Sequence, residues 1–125
     1  MSSFVDANVI IKAFTENKDK EKCRAVVNNG FTTNILCLAE AQDAIEAIKN
    51  DKVAASAFIR SLFGLNCRIL DVNKNLLFAS LRVHCAGRFA FFDSIHYATA
   101  LLNNCSEIVS YNTDFDNLPI KRVEP

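Results

Sequence analysis

The sequence predicts an α/β protein: a three-layer α/β/α sandwich with a central parallel sheet of four or five short strands. Its 125 residues fit one domain, residues 1–125, with a core of ordinary size. Short β-type runs alternate with helix-patterned segments, which is typical of parallel sheets with helical crossovers. The runs are apolar throughout rather than alternating, as in strands covered by helices on both faces.

The first elements are a short strand and two helices. Residues 3–5 form a brief β-compatible stretch, and residues 9–14 form an apolar helix-like run after a polar corner. A polar connection leads to a second short helix at residues 21–28. Gly30 is placed to end this helix from a left-handed conformation.

Two further helices follow. Asn34 is a suitable N-cap, and apolar residues recur every three or four positions over residues 35–49. This amphipathic helix carries Glu40 about two turns from its start. An Ala-rich helix is expected at residues 51–63, and the segment from Gly64 to Asn66 stops it.

The C-terminal half repeats the strand and helix alternation. Residues 67–72 are predicted to form a strand and residues 73–86 a helix that ends before a glycine. A helix at 93–104, a strand at 107–111 and a final β-compatible stretch at 120–123 complete the chain.

Charge and composition exclude several classes of protein. Fourteen basic residues balance fourteen acidic ones, so the chain as a whole does not attract nucleic acid or anionic membranes. A basic segment followed by a long apolar run is missing at the start, and no apolar stretch approaches the ~20 residues of a membrane span. The five scattered cysteines have no zinc-finger spacing and indicate reduced thiols, hence a cytoplasmic location.

Acidic residues stand where site residues are expected in an α/β fold. Asp6, Glu40, Asp93 and the pair Asp114 and Asp116 lie on different elements, mostly just after a strand or near a helix start. If the fold gathers them, their repulsion requires a hard dication, and Mg²⁺ or Mn²⁺ suits an all-oxygen site. The alternative is that they are ordinary helix caps and solvated charges.

Four segments resemble, in order and spacing, the motif blocks of PIN-domain ribonucleases. They are FVDANVI, CLAEAQDAI, FFDSIHYATAL and IVSYNTDFDNLPIKRVEP, and together they span nearly the whole chain. Within that superfamily the small size and the last block look most like VapC-type toxins of toxin–antitoxin pairs. The resemblance implies an Mg²⁺- or Mn²⁺-dependent endoribonuclease that leaves 5′-phosphate and 3′-hydroxyl ends.

The resemblance also implies roles for particular residues. Asp6 and Asp93 correspond to the principal metal ligands and Glu40 to a direct or water-mediated ligand. The family often has Asp where this chain has Asn112, so the fourth acidic position is supplied by Asp114, the first candidate, or by Asp116, or is lost. The remaining site candidates are polar: Asn8 and Ser110 match supporting positions, Asn112 offers an amide oxygen, and Asp116 is a weaker fourth carboxylate.

The expected partners follow from the same resemblance. They are an RNA substrate, a cognate antitoxin and a second copy of the chain in a homodimer. Two alternatives stay open: a non-catalytic PIN-like binding module, and a PIN nuclease of RNA processing that is not a toxin. His84 and His96 lie among apolar helix positions, where a structural role is favoured over general-base or RNA-binding roles.

Overall fold

A computed structural model describes residues 2–125 and contains one five-stranded sheet in the order β3-β2-β1-β4-β5. All neighbouring strands are parallel, and helices cover both faces, which confirms the predicted α/β/α sandwich. The strands are β1 (Ser3–Val5), β2 (Phe31–Asn34), β3 (Cys67–Leu70), β4 (Glu107–Val109) and β5 (Lys121–Val123). The helices are α1 (Ala7–Ala13), α2 (Lys20–Asn28), α3 (Ile35–Lys49), α4 (Lys52–Leu62), α5 (Lys74–Ala86) and α6 (Phe91–Leu102), and a 3₁₀ turn covers Thr113–Phe115.

The two faces of the sheet carry separate apolar cores. Val5 and Val109 belong to the core under α1 to α4, whereas their neighbours Phe4 and Ile108 belong to the core under α6. All four side chains are buried. Successive side chains of a strand point to opposite faces, so strands of three residues contribute to both cores.

β2 is the element that the sequence pattern missed. It consists of Phe-Thr-Thr-Asn, a mostly polar run, yet all four of its residues are buried. Thr33 donates its hydroxyl proton to the carbonyl of Val5 at 2.9 Å, and Asn34 caps α3 as predicted by accepting from the N–H of Cys37. Side-chain hydrogen bonds therefore let polar residues occupy a central strand.

Several predicted boundaries were wrong by one or two residues. The strands predicted at 67–72 and 107–111 end at Leu70 and Val109, and the helix predicted from residue 93 begins at Phe91. The first helix begins at Ala7 rather than residue 9, because Asp6 caps it. Asp93 consequently lies inside the first turn of α6.

Gly30 has the predicted left-handed backbone, with φ of +90°. A Cβ at this position would lie 2.9 Å from the carbonyl oxygen of Asn66, so both the torsion and the close approach require glycine. All five cysteines are free thiols. Among residues 2–125, no helix combines the length and apolar character that crossing a bilayer requires.

The strand order reverses beside β1. The chain moves from β1 outward to β2 and β3 and then returns to the opposite side of β1 to form β4 and β5. In open parallel sheets, ligands bind at the carboxyl ends of the strands where the strand order reverses in this way. Here that point lies between β1 and β4.

Candidate metal centre

Asp6 and Ser110 meet at the carboxyl ends of β1 and β4. The register pairs Val5 with Val109, so the next residue of each strand reaches the same edge of the sheet. The Ser110 hydroxyl donates to Oδ2 of Asp6 at 2.7 Å, and Oδ1 of Asp6 accepts from the N–H of Ala7 at 2.8 Å. The carboxylate of Asp6, only 5% exposed, is therefore fixed by a partner on each oxygen.

Ser110 connects the other polar residues of the site. Its oxygen accepts from the side-chain amide of Asn8 at 3.2 Å and from the backbone N–H of Asn112 at 2.9 Å. Asn8 also donates to Oδ2 of Asp6 at 3.3 Å. The two supporting positions predicted from the sequence, Asn8 and Ser110, thus contact each other and Asp6.

Asp93 reaches this cluster from α6. The amide nitrogen of Asn112 donates to Oδ2 of Asp93 at 3.1 Å. Burial raises the pKa of Asp93, and the carboxylates of Asp6 and Glu40 raise it further, which outweighs the opposing effects of His96 and Asn112. Negative charge from three separate elements therefore accumulates at one place.

Glu40 enters from the second turn of α3. Its Oε1 accepts a hydrogen bond from Nε2 of His96 at 2.7 Å. The two partners differ in exposure, because the side chain of His96 is 1% exposed and that of Glu40 is 35% exposed. The buried ring of His96 therefore holds Glu40 from its inner side, and the exposed part of the carboxylate faces solvent and the cluster.

The hydrogen bonds that Asp114 and Asp116 make do not reach Asp6, Glu40 or Asp93. Asp114 is exposed, and its backbone N–H donates to Oδ1 of Asn112 at 3.0 Å. Asp116 is paired with Arg122 at 2.6 Å. The side chain that reaches Asp93 from this segment is the neutral amide of Asn112.

The three clustered carboxylates fit a hard dication. They are oxygen donors held near one sheet edge, and their mutual repulsion, which adds to burial in raising the pKa of Asp93, is the charge imbalance that a bound cation removes. Mg²⁺ prefers a few carboxylates and keeps waters in its remaining positions, so three carboxylates meet its requirements.

A second group of possible ligands lies deeper. One ligand atom each of Asp6, Cys37 and His96 lie within 4.8 Å of one another, and all three residues are buried. Burial raises the pKa of the Cys37 thiol, so its sulfur keeps its proton, and both ring nitrogens of His96 already face hydrogen-bonding partners. This deeper group is therefore less suited to a hard dication than the three carboxylates are.

The family of the chain follows from comparison with known proteins. The model of the PIN domain matches residues 3–121. The chain belongs to the PIN domain family. A search of curated protein sequences gave no match.

Solved structures of other PIN domain proteins share the fold. VapC20 of Mycobacterium tuberculosis, a toxin that cleaves the sarcin-ricin loop, aligns with a TM-score of 0.82 and 17% identity over 99% of this chain and 100% of its own. A toxin–antitoxin complex from Klebsiella pneumoniae gives 0.76 and 19% over 99% and 98%. VapBC2 of Rickettsia felis, bound to promoter DNA, gives 0.73 and 16% over 99% and 98%. At these identities the likeness concerns the fold.

Sequence reasoning missed His96 as a contact of the site. It lies 56 residues from Glu40 and 59 from Cys37, so no local spacing connects them. One signal was available: His96 follows Asp93 by three residues and therefore lies near it on one side of the same helix.

Proposed function

We propose that this PIN domain protein is an Mg²⁺- or Mn²⁺-dependent endoribonuclease and the toxin of a toxin–antitoxin pair. The observation that carries the proposal is the gathering of Asp6, Glu40 and Asp93 at the strand-order reversal of a PIN domain. Hydrolysis of a phosphodiester requires neutralised phosphate charge and an activated water, and a carboxylate cluster of this kind is suited to both through a dication.

Asp6 and Asp93 would hold the metal directly, and Glu40 would do so directly or through a water. When bound, the ion would neutralise phosphate oxygens and acidify a water for attack on phosphorus. The chain's own contribution is positioning. Ser110 and the N–H of Ala7 fix Asp6, and Asn112 holds Asp93 at 3.1 Å.

Asp114 is proposed as a secondary source of negative charge. It is exposed and tied through its backbone to Asn112, so it would act from the rim, with Asp116 further removed by its pairing with Arg122. The neutral Asn112 at the inner position leaves the cluster one charge poorer than an Asp there would make it. Metal affinity should be correspondingly modest.

The toxin role is supported by the solved structures of similar fold, among them an RNA-cleaving toxin and two toxin–antitoxin assemblies. From these structures we propose three further properties of this chain: an antitoxin binds it, RNA is its substrate, and it acts in the cytoplasm as a homodimer. Exposed apolar side chains provide candidate surfaces for both protein partners: Val53 and Phe63 near α4, Phe78 and Leu81 on α5, and Leu102 on α6.

The decisive experiment is cleavage of mixed transfer and ribosomal RNA fragments by purified wild type, Asp93→Asn and a charge control, Asp71→Asn. Asp71 is exposed after β3 at the edge of the sheet. Wild type and the control should cut RNA with Mg²⁺ or Mn²⁺, while EDTA and Asp93→Asn should each abolish cleavage. Equal activity of wild type and Asp93→Asn would refute the assignment.

Two other results would redirect the proposal. RNA left intact by the wild type, together with no saturable Mn²⁺ binding in calorimetry, would identify a non-catalytic PIN-like module. Metal-dependent cleavage without growth arrest on expression would identify an RNA-processing nuclease rather than a toxin.

A further inference from the structure

A chain of hydrogen bonds leads from the core of the protein to Glu40. At its inner end, Oδ1 of Asn34 accepts from the N–H of Cys37 at 2.9 Å, so the amide nitrogen of Asn34 points the other way. That nitrogen donates to the hydroxyl of Thr99 at 2.9 Å. The hydroxyl in turn donates its proton to the carbonyl of Ile95 at 2.7 Å. Each partner thus fixes the next, and the orientation of the Asn34 amide is determined.

This orientation decides where His96 carries its proton. The amide nitrogen of Asn34 lies 3.2 Å from Nδ1 of His96 and can only donate. With Nδ1 accepting from this amide, the neutral ring has its proton on Nε2, and a charged ring carries a proton on Nε2 as well. Nε2 is the atom 2.7 Å from Oε1 of Glu40, so the chain ends in a donor aimed at that carboxylate.

We infer that His96 is a positioning residue for Glu40 in the nuclease. The inference rests on the proposed function and extends it from the carboxylates to the side chain behind them. A free glutamate on a helix surface samples several rotamers, and Glu40 is 35% exposed. The buried ring of His96 holds one carboxylate oxygen in place and leaves the second oxygen for the metal or for a metal-bound water.

A purely structural role for His96 would be served by any acceptor for Nε2, so the choice of acceptor is informative. A buried histidine needs partners for its two nitrogens, and Asn34 and Cys37 lie within 3.7 Å of the ring on the interior side. The acceptor at 2.7 Å from Nε2 is not an interior group but the part-exposed carboxylate of Glu40, which also raises the pKa of Asp93.

The test compares two amide substitutions that differ by one methylene group. In His96→Gln the amide nitrogen reaches about the place of Nε2 and can donate to Glu40, whereas in His96→Asn the amide reaches only Asn34. His84→Asn is the control, because His84 contacts Ser94 and lies outside this chain of bonds. Both RNA cleavage and the Mn²⁺ dissociation constant are measured, the latter by calorimetry without RNA.

We expect His96→Asn to lose about 10- to 100-fold in cleavage and to bind Mn²⁺ more weakly, as is usual when a partner of a metal ligand is removed. His96→Gln should recover most of both losses. In a Glu40→Ala background, His96→Asn and His96→Gln should differ by no more than about twofold in RNA cleavage and in the Mn²⁺ dissociation constant, because no carboxylate remains at position 40 to be positioned. Loss of activity by His96→Asn that persists unchanged in that background would overturn the inference.

A measurement on folded protein covers the case in which His96→Asn does not fold. In proton NMR of the wild type, Nε2–H of His96 should give a downfield, slowly exchanging signal that moves upfield in Glu40→Ala. An unchanged signal would overturn the inference about His96. The proposed function would still stand if the wild type cleaved RNA in a metal-dependent way. A wild type that neither binds Mn²⁺ nor cuts RNA would overturn both.

Discussion

Replacing Asp93 with Asn tests whether the carboxylate cluster is a metal centre, by thermal stability alone. The substitution preserves shape, and the side-chain oxygen can still accept the hydrogen bond that Asn112 now donates to Asp93. It removes the charge that Asp6 and Glu40 repel. Without metal the variant should therefore melt above the wild type, and with metal the order should reverse.

The size of the metal effect follows from mass action. At a Mn²⁺ concentration of about 100 times Kd, binding to the folded state stabilises the wild type by about 2.7 kcal/mol. A chain of 125 residues has an unfolding entropy of about 0.26 kcal/mol/K. The wild type should therefore gain about 10 °C in Tm at that concentration, and Asp93→Asn should gain little.

The assay is thermal unfolding followed by circular dichroism, in EDTA and in a Mn²⁺ series. Asp71→Asn is the control for loss of one negative charge and should respond to Mn²⁺ like the wild type. Two results would refute the reasoning: a Mn²⁺-induced rise in Asp93→Asn equal to that of the wild type, or a lower Tm of this variant in EDTA.

Further predictions concern the neighbours of this carboxylate. Asn112→Asp should lower Tm in EDTA, because it replaces an amide donor 3.1 Å from Asp93 with a like charge. The same substitution should tighten Mn²⁺ binding on the order of tenfold in calorimetry, and weaker binding would contradict this prediction. Ser110→Ala leaves polar groups of Asp6 and Asn112 unpaired and should cost about 1–3 kcal/mol, or about 4–12 °C in Tm; an unchanged Tm would show that water replaces the hydroxyl. Asp114→Asn should weaken Mn²⁺ binding less than Asp6→Asn, because Asp114 is exposed; equal losses would make it a full ligand. The pKa of Asp93 is raised in the folded protein, so the folded protein binds this proton more tightly than the unfolded chain does. In EDTA, the free energy of unfolding of the wild type relative to Asp93→Asn should therefore increase as the pH falls from 7 and level off below about pH 4. Denaturant titrations that show the opposite trend would contradict the raised pKa.

Most of the fold was predictable because its elements are locally determined. The helix Ile35–Lys49 has its cap, apolar spacing and left-handed end at Asn50 all encoded nearby, and both of its predicted bounds were right. β2 was not predictable in the same way. Thr33 and Asn34 are buried through hydrogen bonds to other elements, and neither hydrophobic periodicity nor strand propensity reveals such partners.

The candidate site was predictable only in part for a related reason. Asp6 and Asp93 could be named because the chain shows a strand end and a helix start beside them. The network behind them was hidden: Asn112 and Ser110 connect residues that are 19 and 104 positions away. His96 reads as one more core residue until the fold brings it to Glu40.

The pairing of β1 with β4 also determines when the site arises during translation. Asp6 and Ser110 are 104 residues apart, and a ribosome that has made the chain only as far as α5 has supplied Asp6 and Glu40 but neither Asp93 nor Ser110. At that stage one long side of β1 still lacks its neighbouring strand. If the protein is the nuclease we propose, a nascent chain that ends before α6 is harmless to the RNA of the ribosome that makes it, and activity begins only after Asp93 and Ser110 have been made.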